Sequence, residues 1–407
     1  MSRAHPRSVK NRQVFYIPGY DPIHPRRYRE LYRKEGRDQA AISGYDITLN
    51  PGETKPHYGW KVDARMDEAD VHADVSVLVW SDIVRDSMDA SIVGTYAQLV
   101  RTAWIYIGSG ALRRLMRLRK GPVIAALYPV AMLLTQLLIA LALWYALFAV
   151  GHGLAGSIGA VIGTAVGLGA FVAILRWFKA KDGKFFAYYL MHDYAYSAAS
   201  RGANPVPLEA RMKSFQDAIA AALQNDVDEV LVVGHSSGAH LSVSILSDLI
   251  RDGRVPADGP KLSFLSLGQV VPMVSFLSDA HRLRGDLQFL SARDELTWVD
   301  VTAPGDGCAF ALCDPVSVSG VAPDGKRWPL VFSAQFTQSL SPERWAELRW
   351  KFFRLHFQYL CAFDRPLDYD YFQITAGPKT LAERYADRPP SKSRIDHAVS
   401  KYTSVRP

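Results

Sequence analysis

The chain has 407 residues, of which 49% are hydrophobic, and a formal net charge of +7. That length allows one large domain or two ordinary ones, with a sizeable core in either case. Residues 113–184 hold nine Lys/Arg against one acid, Asp182, so the positive charge is local. With no nucleic-acid motif besides, the composition argues against a nucleic-acid surface.

Three cysteines (Cys308, Cys313 and Cys361) form an odd set without metal-like spacing, which points to a reducing compartment and structural burial. Residues 1–13 are polar and basic with no apolar segment, so no signal peptide is expected.

In chain order, residues 14–17 form a short apolar strand ending at Pro18, Gly19, Tyr20 and Asp21. The charged stretch 25–40 reads as a surface helix. Residues 42–49 and 57–66 read as strands separated by the turn signal Asn50-Pro51-Gly52. Residues 75–80 form a strand of buried type. Asp82 follows its end, where it can touch a ligand or cap a helix. Residues 88–119 are amphipathic and close on Arg113, Arg114, Arg117 and Arg119.

Residues 121–175 contain no Asp, Glu, Lys or Arg. About 20 apolar residues suffice to cross a bilayer, so the run is long enough for two spans. Residues 122–150 and 154–178 are the expected helices of a transmembrane hairpin, with the break at Gly151-His152-Gly153. Both outer ends carry Lys/Arg, which places them on the cytoplasmic side of a membrane, such as a bacterial inner membrane. Gly159, Gly163 and Gly167 recur every fourth residue and would let the second helix press against the first. The aromatic stretch 185–201 is either an interfacial belt or a lid over a site. Residues 208–223 then form a helix leading to the most informative segment. The hairpin is therefore an insertion: residues 1–120 and 179–375 form one domain, 121–178 the membrane segment and 376–407 a polar, poorly ordered tail.

That informative segment is 228–246. Residues 230–233 are a buried-type strand, Gly234-His235-Ser236-Ser237-Gly238 follows, and Leu241, Ile245, Leu246 and Leu249 recur at helical spacing. Strand, G-x-S-x-G, helix is the context a nucleophile elbow requires. The turn lifts the Ser236 hydroxyl clear of the backbone, and the Ser237 amide at the helix N-terminus faces the oxyanion. On these residues the chain resembles the α/β-hydrolase family of serine esterases and lipases. The resemblance covers about 14–119 and 184–372, and its specific part is the elbow.

The resemblance implies a mostly parallel central sheet flanked by helices. It also implies a second oxyanion amide from the loop after an early strand, at Gly19 or Tyr20. The family orders its triad as serine, acid, histidine. Of His240, His281, His356 and His397, the last two follow the last strand, 330–335; His397 lies in the Pro-rich tail, which leaves His356 in the helical aromatic stretch 343–363. For the acid, Asp306 in Ala303-Pro-Gly-Asp-Gly follows a Trp-containing strand, 297–302; Asp314 and Asp300 are the alternatives. No zinc signature, phosphate loop or dinucleotide fingerprint is present, so no metal or cofactor is expected.

The sequence thus predicts a membrane-anchored serine hydrolase for amphiphilic acyl esters. Its partners would be a lipid bilayer and a small-molecule ester, with no nucleic acid. An acyltransferase using Ser236, and a non-catalytic binding protein on the same scaffold, are the competing expectations.

Overall fold

The β-branched runs around Val14 and Val232 become two adjacent central strands in the computed structural model, which describes residues 8–52, 56–88 and 90–406. The strands are β1 (Asn11–Ile17), β2 (Asp46–Pro51), β3 (Tyr58–Met66), β4 (Ala69–Val77), β5 (Glu229–His235), β6 (Lys261–Leu267), β7 (Leu296–Thr302) and β8 (Leu330–Ser333). They form one eight-stranded sheet in the order β2-β3-β4-β1-β5-β6-β7-β8. β3 runs antiparallel to both neighbours, and every pair from β4 to β8 is parallel.

Alternation along the strands builds a core on each face. Val14, Tyr16, Leu231, Val233 and Leu265 pack on one side with Tyr28 and Tyr32 of helix Arg26–Ser43. Phe15, Ile17, Val230, Val232 and Phe264 pack on the other with helices Val206–Ala222 and Ser237–Arg251. Burial on both faces explains why the central strands read as continuous apolar runs. From β1 the chain goes to the β2 edge; after β4 it crosses to β5 on the other side of β1. The carboxyl ends of β1 and β5 therefore flank a switch point, where open α/β sheets bind ligands.

The apolar run is a 61-residue helical stretch, Lys120–Ala180, interrupted by non-helical Ala155 and Gly156. It is long and apolar enough to cross a membrane. The break falls beyond the expected Gly151-His152-Gly153, which stays helical. A Cβ on Gly159, Gly163 or Gly167 would lie 1.9, 2.5 or 2.9 Å from a carbonyl oxygen of Gly151, Leu147 or Trp144 respectively. Only glycine permits so close a backbone approach.

Several local expectations change. The first helix continues to Ser43 and stops at left-handed Gly44, so the following strand begins at Asp46 rather than 42. β4 starts at Ala69 and ends at Val77, and its half-exposed alternation hid its first half. Residues 343–363 are three short helical pieces rather than one. The segment after residue 376 packs on the domain instead of being poorly ordered. Ser391 N–H donates to Val331 O, Ile395 N–H to Leu312 O and Val399 N–H to Val318 O. The first seven residues of the basic N-terminal stretch lie outside the described residues.

Candidate active site

β5 ends at His235 and helix Ser237–Arg251 begins two residues later, so Ser236 alone makes the turn. It does so with φ 57° and ψ −121°, a backbone region that costs a non-glycine residue roughly 1–3 kcal/mol. The surroundings enforce it: Ser236 N–H donates to Leu267 O at 2.9 Å, and Ala239 N–H to Ser236 O at 3.1 Å. Gly238 makes the turn possible, because a Cβ there would sit 2.0 Å from Ile17 O. Within 229–247, Ser236 is the only residue that is not buried. The sheet thus presents one hydroxyl and hides its neighbours.

The loop after β1 comes up beside it. A Cβ on Gly19 would lie 3.3 Å from Ser236 Oγ, so the bare backbone of this loop abuts the hydroxyl. The loop is pinned by Trp80 Nε1–H to Pro18 O at 2.9 Å, and by Tyr189 O–H to Tyr20 O. Asp21 accepts from Tyr28 O–H at 2.7 Å. Among the described residues, neither the Tyr20 nor the Ser237 amide donates to a protein acceptor. Two free N–H groups near one hydroxyl suit an oxyanion.

Asp306 follows β7 and His356 closes the short helix Phe352–His356. His356 Nδ1 and Asp306 Oδ2 are 2.7 Å apart and both residues are buried. Asp306 Oδ2 also accepts from Tyr359 O–H at 3.0 Å, and Oδ1 from Cys308 N–H at 2.9 Å. Burial alone would raise the Asp306 carboxyl, but the charge of His356 and these three donors outweigh it and hold it below its ordinary value.

His235 supports the histidine from beneath. Its Nε2 lies 3.0 Å from His356 O, and the ring centroids are 4.8 Å apart. Burial first, and His356 second, push His235 down to about 3, so it stays neutral and donates to that carbonyl. Ser236 and His356 line one cavity of about 910 Å³ but are not hydrogen-bonded to each other.

The other residues weighed from sequence go elsewhere. Asp314 caps helix Pro315–Val318 and pairs with Lys326 at 2.5 Å. Asp300 bonds Ser266 Oγ inside the sheet. Asp82 is clamped by Arg211, and His240 lies buried on the elbow helix.

Asp306, Cys308 and His356 bring a carboxylate, a thiol and an imidazole within 4.8 Å of one another, as a metal site does. One fact favours the proton-transfer arrangement: the 2.7 Å contact leaves no room for an ion between Nδ1 and Oδ2.

Sequence reasoning missed the roles of His235, Tyr359 and Cys308, whose positions inside and beside the motifs were visible but whose contacts are long-range. It also passed over Asp193, the one acid of the aromatic stretch 185–201. That stretch forms helix Ala187–Ala199, and Tyr189, Leu190, Asp193 and Tyr194 line the cavity.

No family model, curated protein or solved structure matches this chain.

Proposed function

We propose that this protein is a membrane-anchored serine hydrolase of the α/β-hydrolase type that cleaves carboxylic esters with a lipid-like acyl part. One observation carries the reading: Ser236 is held at positive φ between a strand and a helix, in the same cavity as an Asp306–His356 pair. The strand order, with a single antiparallel strand and the nucleophile after the central β5, fits that scaffold.

In the proposed reaction, Ser236 Oγ attacks the ester carbonyl while its proton passes to His356 Nε2. Asp306 fixes the imidazole tautomer through Nδ1. The Ser237 amide and that of Gly19 or Tyr20 receive the oxyanion. The C–O bond then breaks as His356 gives the proton to the leaving alcohol. Water, deprotonated by His356, releases the acid from the acyl-enzyme and restores Ser236.

The membrane reading rests on the apolar stretch as a two-helix hairpin. Its side chains Leu138, Tyr145, Leu154, Ile158 and Val161 are exposed, which is costly in water. Basic clusters at both ends favour a cytoplasmic catalytic domain and cytoplasmic chain ends. Pro122 and Asp182, at the two ends of that stretch, line the catalytic cavity, as do exposed Ile23, Phe186 and Phe353. An apolar rim beside the bilayer suits an amphiphilic ester.

The test is fatty-acid release from a lipid ester by the purified protein in detergent, with Ser236→Ala as control and a competing alcohol added. Release by wild type only supports the reading. Ester exchange without release would move it to an acyltransferase, and no turnover of either kind would leave a binding protein.

A further inference from the structure

The cavity holds a carboxylate that the proposed reaction leaves unused. Asp193 is the only acid between Gly183 and Pro207, and it enters the cavity from helix Ala187–Ala199. Among the described residues, no hydrogen-bond donor or Lys/Arg partner meets its carboxylate. Its charge acts on Tyr189 and Tyr194 of its own helix, on Tyr20 after β1, on Tyr106 of helix Ile92–Gly108 and on Cys308 after β7. His356 is the one group that acts back on it favourably, and His240 borders the small adjoining space.

Three of these four tyrosine hydroxyls are committed elsewhere: Tyr20 bonds Ser87, Tyr106 donates to Met273 O and Tyr189 to Tyr20 O. What these three leave for a ligand is ring surface. Of the cations lining the cavity, Arg27 pairs with Asp21 and Lys34 with Glu35, while Arg354 lines it without an acidic partner among the described residues. Burial pushes the Asp193 carboxyl up to about 7. A carboxylate in an apolar cavity is costly unless paired, and a carboxylate among aromatic rings is the arrangement that binds an organic ammonium.

We propose that Asp193 and the tyrosines around it form a subsite for an ammonium group on the polar part of the substrate. The preferred ester is then cationic or zwitterionic at its alcohol end. This rests on the serine-hydrolase reading and names its substrate class. A neutral hydroxyl donor is the lesser fit, because an asparagine would serve it as well as an aspartate.

The experiment compares butyrylcholine with its neutral isostere, in which tert-butyl replaces trimethylammonium. Wild type should favour the cationic ester in kcat/KM by about tenfold or more, mainly through KM, and Asp193→Asn should bring the ratio to about one. Asp193→Glu should restore part of the preference. An equal rate on both esters by wild type, or a preference that survives in Asp193→Asn, overturns the proposal. Binding of tetramethylammonium to Ser236→Ala, followed by calorimetry, reads the subsite without turnover. Binding that is lost on adding Asp193→Asn supports the subsite even if the hydrolase reading fails, and no binding overturns it.

Discussion

Removing the Tyr359 hydroxyl tests how the acid of the pair is held. Tyr359 is fully buried, and its O–H both donates to Asp306 Oδ2 at 3.0 Å and accepts from Ala303 N–H at 2.9 Å. Tyr359→Phe keeps the ring, with its packing on Phe336 at 4.9 Å between centroids. It deletes a hydrogen bond to an ionised group, worth about 1.5–3 kcal/mol, and orphans a buried amide at about 1–3 kcal/mol. Because the two losses share one group, the expected destabilisation is about 2–4 kcal/mol rather than their full sum. The sign of the pH effect follows from Asp306. Its carboxyl is held below its ordinary value, so its contribution is present above the unfolded carboxylate range and lost as pH falls through the folded value. With one donor gone, that loss should begin at higher pH. Urea unfolding in fixed detergent between neutral and acid pH measures both effects, and the fluorophosphonate labelling rate should fall in parallel. A variant within about 0.5 kcal/mol of wild type, with unchanged labelling, would refute the reasoning.

Two further outcomes are expected. Gly238→Ala places a methyl 2.0 Å from Ile17 O and 2.8 Å from Pro18 O, both main chain. It should destabilise the fold by about 3 kcal/mol or more, and near-normal urea midpoints would contradict the geometry. Asp193 is an acid whose folded value is raised to about 7, so its contribution is greatest at low pH and is lost as pH rises toward and through 7. Asp193→Asn should therefore raise Tm over wild type by more at pH 8 than at pH 5, and equal shifts at both would count against an unpaired carboxylate held up by its apolar surroundings.

Much of the site was legible in sequence because its chemistry is local. Strand, turn and helix around Ser236 are contiguous, and both faces of β5 are buried, so its apolar run stands out. The pairing of Asp306 with His356, rather than with a nearer histidine, followed from the chain order that the family resemblance implies. The rest depended on tertiary contact. β4 hid because Val71, Ala73 and Val75 alternate with exposed polar residues. The polar C-terminal segment is held by main-chain bonds and by buried Arg12, which reaches Gly377 O and Lys379 O, and composition cannot show such bonds. Asp193 is distant in sequence from Ser236, and only folding of its helix over the cavity brings it there.

The most direct test of the central claim is intact-protein mass spectrometry after reaction with a fluorophosphonate. The account predicts one adduct per chain, mapped to the peptide containing Ser236, absent from Ser236→Ala and strongly slowed in His356→Ala. Folded wild-type protein that takes no adduct, or an adduct that persists in Ser236→Ala, would contradict it.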